Sequence, residues 1–220
     1  MKRIAVSIGV DSTEEALKEM QKAFDLKVDF VEFRIDYIPK SKLDLKELIR
    51  FSRLPCIITN RSKLEGGRFE GSEEERIKLL QEAADLKPDY LDVELKTLEK
   101  YNLRIQHPTQ LIGSYHNFQE TPLNLEDTLD RMVDAGVNIA KFATMIRTPK
   151  DCIKIFNLID KAIQLGKDVI GIGMGEQGRI VRVYAPILGA YLTFATMDKT
   201  KATAPGQLTV EELREEWKKY

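Results

Sequence analysis

A lysine within an apolar stretch is the residue of this sequence with the most chemistry to offer. Lys141 lies in NIAKFATM, where its immediate neighbours are apolar. Lysine is rarely buried, and burial disfavours its charged form. The pattern therefore favours a desolvated, neutral amine, which is the nucleophile that Schiff-base chemistry on a carbonyl requires. The alternative is a lysine at a strand end that extends its ammonium group to solvent.

A histidine close to that lysine is a group that can move a proton. His116, one of two histidines, follows the apolar run LIGSY and precedes the loop NFQETP. A lone histidine is by default a packed or surface residue, but its place one predicted strand before Lys141 favours a general acid and base. Glu94, on the preceding strand, is expected to accept a hydrogen bond from the ring and fix its tautomer. His107 lies in a connection at the opposite end and is interpreted as structural.

Two opposite charges occur together in a third stretch, VEFRID. Glu32 and Arg34 are two residues apart, so their side chains point to the same face of a strand. Because an unpaired buried charge is very costly, they are interpreted either as an ion pair that supports the fold or as a pair that binds a polar ligand. Ser7 and Arg61 stand near the ends of two further predicted strands.

A glycine-rich turn, GMGEQG at residues 173–178, has the G-x-G-x-x-G spacing of dinucleotide-binding turns. Too few residues follow it for a dinucleotide-binding half-domain, so we expect the glycines to form a sharp turn instead. The helix that begins near Arg179 would direct its positive end at an anion, with Arg179 and Arg182 as candidates to complete the site. No cluster of Cys, His or Asp has metal-ligand spacing, so neither a metal nor another cofactor is expected.

These residues fall on short β-branched runs that alternate with charged, leucine-rich segments. The runs predict eight strands, at Ile4–Ile8, Phe30–Asp36, Cys56–Asn60, Tyr90–Leu95, Gln110–His116, Asn138–Met145, Asp168–Met174 and Leu192–Thr196. The segments between them predict helices, among them Thr13–Leu26, Leu43–Phe51, Glu73–Ala84, Leu125–Ala135 and Lys150–Leu165. This alternation predicts a parallel sheet that closes into a (β/α)8 TIM barrel, a single compact domain of residues 1–220. An open doubly wound sheet is the alternative.

The charge balance, the apolar stretches and the cysteines of the sequence limit which partners the protein can bind and where it can be located. Lys plus Arg total 34 and Asp plus Glu total 35, so no excess of charge indicates binding to nucleic acid or to an anionic membrane. The longest uncharged stretch, residues 183–197, is shorter than the about 20 apolar residues that a membrane-spanning helix needs. The N-terminus lacks the pattern of a secretory signal. Cys56 and Cys152 are therefore expected to be buried thiols in a reducing cytoplasm.

Seven segments, taken in order, resemble one enzyme family. VEFRID, TNRSKLEGG, DYLDVEL, GSYHNF, IAKFATM, MGEQGRIVR and ATAPGQ are similar to segments of the type I 3-dehydroquinate dehydratases, the lysine-dependent enzymes of the shikimate pathway. Each segment alone is a weak signal, but the ordered set is specific and covers nearly the whole chain. The resemblance implies a homodimeric enzyme that converts 3-dehydroquinate to 3-dehydroshikimate and water.

The resemblance also implies a role for each site residue. Lys141 would form the Schiff base, His116 would donate and accept protons, and Glu94 would orient His116. The substrate-binding residues would be Ser7, Glu32, Arg34, Arg61, Arg182, Thr203 and Gln207. The sequence departs from the family pattern at Val181 and Thr203, where the family often has serine. Threonine keeps the hydroxyl group, so the second change leaves its binding role intact.

Two other functions stay open at this point. A class I aldolase uses the same lysine chemistry on the same barrel, although the E-x-R pair and the ATAPGQ segment argue against it. A non-catalytic barrel that senses a shikimate-pathway acid is the other, although binding alone does not need a desolvated amine. Because barrels host many functions, the fold does not choose between them.

Overall fold

Eight short runs of mostly buried residues form the strands of one sheet. The computed structural model describes residues 2–220. The strands are β1 (Ile4–Ile8), β2 (Phe30–Arg34), β3 (Cys56–Thr59), β4 (Tyr90–Glu94), β5 (Gln110–Asn117), β6 (Ile139–Met145), β7 (Asp168–Met174) and β8 (Thr193–Ala195). The helices are α1 (Thr13–Asp25), α2 (Leu45–Phe51), α3 (Glu73–Asp85), α4 (Leu95–Lys100), α5 (Leu125–Asp134), α6 (Pro149–Gln164), α7 (Arg179–Tyr184) and α8 (Val210–Trp217). Each strand is followed by a helix.

The order of the strands around the sheet is β7-β6-β5-β4-β3-β2-β1-β8, and all paired strands are parallel. This sequential order is that of a (β/α)8 barrel, whereas a doubly wound sheet would reverse its direction from an inner strand. β8 approaches β7 without a ladder, and the Tyr191 N–H donates to the Val169 carbonyl at 2.7 Å across this gap. The predicted TIM barrel is confirmed, and it is nearly closed at this seam.

The barrel interior changes from apolar to polar along the strands, because side chains two residues apart share a face. One inward layer consists of apolar residues: Phe30, Ile57, Tyr90, Ile112 and Ile139. Two positions further along the same strands, the buried residues are Glu32, Thr59, Asp92, Ser114 and Lys141. The polar layer therefore rests on a packed apolar floor and lies toward the carboxyl ends of the strands.

The outward faces of the strands carry the larger apolar core. Phe33, Ile58 and Phe142 pack in one cluster with helix residues such as Leu80 and Ile155. This layer holds the helices to the sheet and contains none of the predicted site residues. Both cysteines are buried and unbonded, as predicted. None of the helices within residues 2–220 is long and apolar enough to cross a membrane.

The observed elements lie close to the predicted ones. β1 and β7 have the predicted bounds, whereas β2 ends two residues early because Ile35–Tyr37 forms a 3-10 helix. Sequence patterns did not reveal α4, which has six residues and follows β4 with no intervening turn. They also did not reveal α8, which begins at a capping box formed by Thr209 and Glu212.

Candidate active site

Lys141 lies on β6 with its amine inside the barrel. Only 5% of the residue is exposed, so the alternative of a lysine extended to solvent is wrong. Its Nζ lies 2.8 Å from Asp92 Oδ2 and 3.4 Å from Glu32 Oε1. The centroid of the Phe194 ring lies 4.3 Å from the same nitrogen. The amine is therefore buried as predicted, and two carboxylates that the sequence did not indicate as its partners face it as counter-charges.

Asp92, on β4, connects the lysine to an arginine. Its Oδ1 accepts hydrogen bonds from Arg61 Nη2 and from Ser114 Oγ, both at 2.6 Å. Burial alone would raise the pKa of Asp92, but the charges of Arg61 and Lys141 outweigh burial and hold this pKa far below its usual range. Asp92 is therefore a carboxylate at neutral pH. Asp92 is not among the predicted site residues, although it lies two residues from Glu94 on the same strand face.

Glu32 is the second counter-charge of the lysine and is held by two hydroxyl groups. Ser7 Oγ donates to Glu32 Oε2, and Thr59 Oγ1 donates to Oε1 at 2.9 Å. Burial would raise the pKa of Glu32, but the charges of Lys141 and Arg34 lower it below its usual value. Ser7 therefore lies behind Glu32, as a residue that holds the carboxylate in place.

The ion pair of Arg34 is with Asp36. Arg34 Nε and Nη2 donate to the two carboxylate oxygens of Asp36 at 2.9 and 2.7 Å, in a bidentate arrangement. The 3-10 helix after β2 makes this contact between near neighbours in sequence. The predicted ion pair between Glu32 and Arg34 is therefore wrong, since Glu32 pairs with Lys141 and Arg34 with Asp36, but both side chains line the cavity.

His116 is held by a glutamate, but by a different one from the residue expected. Its Nδ1 lies 2.9 Å from Glu65 Oε2, and its backbone N–H donates to the same oxygen at 3.0 Å. The expectation that Glu94 contacts the ring is wrong. Glu65 lies in the segment after β3, within TNRSKLEGG, four residues after Arg61. That segment is one of the seven that resemble the family. Residues of a loop, however, have no periodicity from which the direction of a side chain could be predicted.

Glu94 lies on the other side of the network. Its Oε2 accepts a hydrogen bond from Arg76 Nη1 at 2.6 Å, and its Oε1 accepts from the Ser62 N–H at 2.9 Å. In the register of β4 with β5, Glu94 is opposite Ser114, which precedes His116 by two residues. The register therefore keeps Glu94 one layer away from the imidazole.

The titration of the His116–Glu65 pair is shifted by its surroundings. Burial, together with the positive charges of Arg61 and Lys141, holds the pKa of His116 well below 6.5. Burial, opposed by the charge of Arg61 and supported by that of Glu94, raises the pKa of Glu65 to about 7. The imidazole is therefore neutral at neutral pH and available to accept a proton at the nitrogen that Glu65 does not hold.

Arg182 is a buried cation that has no carboxylate partner within residues 2–220. It lies on α7 and is fully buried. Its Nη1 and Nη2 lie 3.4 and 3.3 Å from the carbonyl oxygens of Phe194 and Pro205, and its Nε has no partner in the described chain. Burial lowers the pKa of Arg182 to about 10. A buried guanidinium that faces a cavity and has no carboxylate partner is suited to bind an anion.

The glycine-rich turn brings α7 close to β7, as expected. A Cβ on Gly178 would lie 2.4 Å from the carbonyl carbon of Gly173, so only glycine allows this approach. Arg179, the other candidate for the anion site, does not line the cavity. Its guanidinium lies 3.5 Å from Glu176 and 3.9 Å from Glu212, on the outside of the barrel. Of the two candidate arginines, Arg182 alone faces the interior.

The cavity formed by these groups opens to solvent at the carboxyl ends of the strands, and together with the solvent space at its mouth it measures about 530 Å³. Thr203 and Gln207 reach it from the segment after β8, where the Thr203 N–H donates to Gln207 Oε1 at 3.0 Å. The predicted residues that line it are Glu32, Arg34, Arg61, His116, Lys141, Arg182, Thr203 and Gln207. Its apolar lining is formed by Phe118, Ala143, Ile172, Met174, Phe194 and Ala204. Within residues 2–220 no group of three or more His, Cys, Asp or Glu is placed to hold a metal ion.

Fold and cavity together define an enzyme of the barrel class that acts on a small anionic substrate, because a buried amine and an unpaired buried arginine face one space. The family model of Type I 3-dehydroquinase matches residues 4–218, and the chain belongs to that family. It is accordingly a hydro-lyase of the shikimate pathway that acts as a type I 3-dehydroquinate dehydratase. The aldolase and the non-catalytic barrel are therefore excluded.

Similarity to individual relatives extends over nearly the whole chain. The 3-dehydroquinate dehydratase of Methanocaldococcus jannaschii is 37% identical, over 98% of this chain and 97% of the relative. Among solved structures, the enzyme from Aquifex aeolicus VF5 is 31% identical with a TM-score of 0.78, over 99% of this chain and 98% of that one. The type I enzyme from Clostridium difficile, solved with covalently modified comenic acid, is 26% identical with a TM-score of 0.86, over 98% and 90%.

The raised pKa of Glu65 predicts a change in stability with pH. Between pH 4.5 and about 7 the folded chain keeps a proton on Glu65 that the unfolded chain has lost, so this residue lowers the free energy of unfolding as pH rises. Glu65→Gln removes this effect. The free energy of unfolding of the variant, relative to that of the parent, should therefore rise between pH 4.5 and about 7 and stay constant above that interval. Urea unfolding across the interval measures the difference, with the exposed Glu70→Gln as control. A difference that is independent of pH would contradict the burial of Glu65.

Proposed function

We propose that this chain converts 3-dehydroquinate to 3-dehydroshikimate and water through a Schiff base on Lys141. The observation that carries the proposal is that the buried amine shares one cavity with Arg182, the buried cation without a carboxylate. The amine takes the ketone of a small substrate, and the guanidinium takes its carboxylate. The related Clostridium difficile enzyme was solved with covalently modified comenic acid, which supports covalent chemistry between an enzyme of this family and a small acid.

The first stage is attack of the Lys141 amine on the C3 ketone, after the ammonium has released one proton to water at the open end of the cavity. The carbinolamine hydroxyl takes up one proton and leaves as water, and the resulting iminium withdraws electrons and acidifies the C2 proton. The iminium carries the same single positive charge as the resting ammonium. Asp92 and Glu32 therefore stabilise both states, and no buried charge loses its partner during the covalent stage.

His116 performs the proton transfers in this scheme. As a neutral imidazole it removes the C2 proton, and as an imidazolium it protonates the departing C1 hydroxyl, which leaves as water. Glu65, and not Glu94, orients the ring through Nδ1, which leaves Nε2 for the substrate. Hydrolysis of the remaining iminium releases 3-dehydroshikimate and restores Lys141.

The other cavity residues bind and position the substrate. Arg182 binds the C1 carboxylate, and Glu32, Arg34 and Arg61 hold the ring hydroxyls. Thr203 and Gln207 close over the ring from the segment between β8 and α8. Ser7 contributes through its hydrogen bond to Glu32. No metal and no organic cofactor takes part in the scheme, because the lysine itself supplies the electron sink.

We further propose that the enzyme is a cytoplasmic homodimer that binds neither nucleic acid nor a membrane. Support for the dimer comes from large exposed apolar side chains on α6 and around α7, such as Ile163, Ile180 and Leu188. Exposed apolar surface of this kind marks contacts between proteins when it is contiguous. Light scattering from the purified chain distinguishes a dimer from a monomer of 25.2 kDa.

Substitution of the lysine separates its charge from its nucleophilicity. Lys141→Arg keeps the positive charge that Asp92 and Glu32 require, but a guanidinium does not form the imine. Turnover of 3-dehydroquinate should therefore fall by more than about a thousandfold. Lys154→Arg, on α6 and outside the cavity, is the control and should turn over at the parental rate. Activity of Lys141→Arg within tenfold of the parent would refute the scheme.

Loss of the imidazole should stop the reaction after the imine has formed. In His116→Ala the amine and its carboxylates are intact, so a covalent adduct with 3-dehydroquinate should accumulate and be visible in the intact-protein mass without a reductant. Turnover should fall by about 10²–10⁴-fold. His107→Ala, at the opposite end of the barrel, should behave as the parent. A folded His116→Ala protein with parental turnover would contradict the assigned role.

Loss of the buried arginine should weaken binding more than catalysis. Arg182→Ala removes a charged partner of the substrate carboxylate, so KM should rise by about 10- to 100-fold with a smaller change in kcat. Arg179→Ala removes a guanidinium from the outside of the barrel and serves as the control. Steady-state kinetics on 3-dehydroquinate measures both constants, and an unchanged KM in Arg182→Ala would be inconsistent with an anion site there.

A further inference from the structure

A buried ion pair between Arg76 and Glu94 lies behind the wall of the cavity. Arg76 comes from α3 and Glu94 from the end of β4, and only 1% and 2% of these residues are exposed. Arg76 Nη1 lies 2.6 Å from Glu94 Oε2. Neither residue lines the cavity. The reaction scheme above gives this pair no task.

The guanidinium of Arg76 is fixed by several further contacts. Its Nε and Nη2 donate to the carboxylate of Glu73 at 2.7 and 2.6 Å, and Nη2 also donates to Thr97 Oγ1. Its Nη1 donates to the Asn60 carbonyl at 2.8 Å. These partners belong to α3, to α4 and to the residue that follows β3. The planar fork of an arginine held in this way has one position.

Both members of the pair hold residues 60–67, the segment after β3, which we call the β3 loop. Arg76 binds the Asn60 carbonyl, and Glu94 Oε1 accepts a hydrogen bond from the Ser62 N–H at 2.9 Å. The two contacts lie on either side of Arg61 in the sequence. Arg61 Nη1 is itself 3.3 Å from Glu94 Oε1. The backbone of the β3 loop is therefore held on both sides of Arg61, the first residue of the loop that lines the cavity.

The β3 loop is a tight turn, so a displacement of Ser62 moves Glu65. The Ser62 carbonyl accepts hydrogen bonds from the N–H groups of Glu65 at 3.1 Å and Gly67 at 2.8 Å. A Cβ on Gly67 would lie 1.9 Å from the Arg61 carbonyl oxygen, so only glycine closes the turn this tightly. Glu65 in turn contacts His116 at Nδ1. A continuous set of contacts thus leads from the ion pair to the imidazole.

We propose that Arg76 and Glu94 are positioning residues, whose ion pair sets where the β3 loop holds Glu65 against His116. The inference rests on the proposed role of His116 in proton transfer. A buried ion pair often stabilises a fold no more than apolar residues of similar volume would. Its directional hydrogen bonds, however, hold the β3 loop in one place, which apolar packing does not do.

Replacement of both charges removes the pair without leaving one charge buried alone. In Arg76→Met/Glu94→Leu we expect a folded barrel in which kcat is lower by about tenfold or more. KM should change by less than about threefold, because Arg61 loses its contact with Glu94 but keeps those with Asp92 and Ser114. Trapping with 3-dehydroquinate and borohydride should still modify Lys141 to the parental extent, because the amine and its carboxylates are untouched. A loss of folded protein would instead lower trapping and turnover together.

The chain offers a matched control for this variant. Arg131 and Glu99 form a bidentate pair with two contacts of 2.7 Å, but on the exposed surface between α5 and α4. Arg131→Met/Glu99→Leu makes the same substitutions there and should keep the parental kcat. Glu94→Gln is a milder variant that keeps the side-chain shape and an acceptor for the Ser62 N–H. It should lower kcat severalfold while trapping stays parental.

The outcomes separate the positioning role from the Schiff base. Parental kcat in a folded Arg76→Met/Glu94→Leu protein overturns the proposal, and if that protein does not fold, parental kcat in Glu94→Gln overturns it. In a variant whose folded fraction equals that of the parent, trapping that falls in parallel with kcat also overturns it, since a positioning role leaves imine formation intact. Absence of trapping in the parent enzyme would refute the Schiff base itself, and with it the step that the pair serves.

Discussion

The ion pair between Lys141 and Asp92 is the interaction on which the rest of the site depends. A lysine inside a barrel needs a counter-charge, and Asp92 supplies it from β4, two strands away from β6. A buried carboxylate needs partners of its own, which are Arg61 and Ser114. Each buried charge thus requires the next. Around the cavity the paired groups are the carboxylates Glu32, Asp36, Asp92 and Glu94 and the cations Lys141, Arg34, Arg61 and Arg76.

This balance leaves one positive charge for the substrate. Arg182 faces the cavity without a carboxylate, so an anionic substrate completes the set of pairs. The barrel stays stable with these buried charges because the polar layer lies on a separate layer of apolar side chains inside the barrel. The helices pack against further apolar residues on the opposite face of the strands. Strands hold most of the charged groups rigidly. Glu65 and Gln207 come from loops, which need contacts such as the Arg76–Glu94 pair to reach similar precision.

Strand-borne groups were predictable from alternation along the strands, whereas the loop-borne groups Arg61, Thr203 and Gln207 were predictable only through the family segments. Alternation along a strand is sufficient to place Lys141 and Glu32 inside the barrel, and ordered family segments identified most of the cavity lining. Glu65 lies in a loop, where no period reports the direction of a side chain, so its contact was assigned to Glu94. The Lys141–Asp92 contact joins residues 49 positions apart. No local pattern reports such a pairing, so the sequence did not indicate which carboxylates face the lysine.

The central claim is that the amine held by Asp92 and Glu32 bonds covalently to the substrate. The most direct measurement is mass spectrometry with peptide mapping after the enzyme is incubated with 3-dehydroquinate and borohydride. One reduced adduct per chain, located on Lys141 and absent when 3-dehydroquinate is omitted, is the predicted result. An adduct on a different lysine, or no adduct on a folded and active enzyme, would contradict the Schiff base.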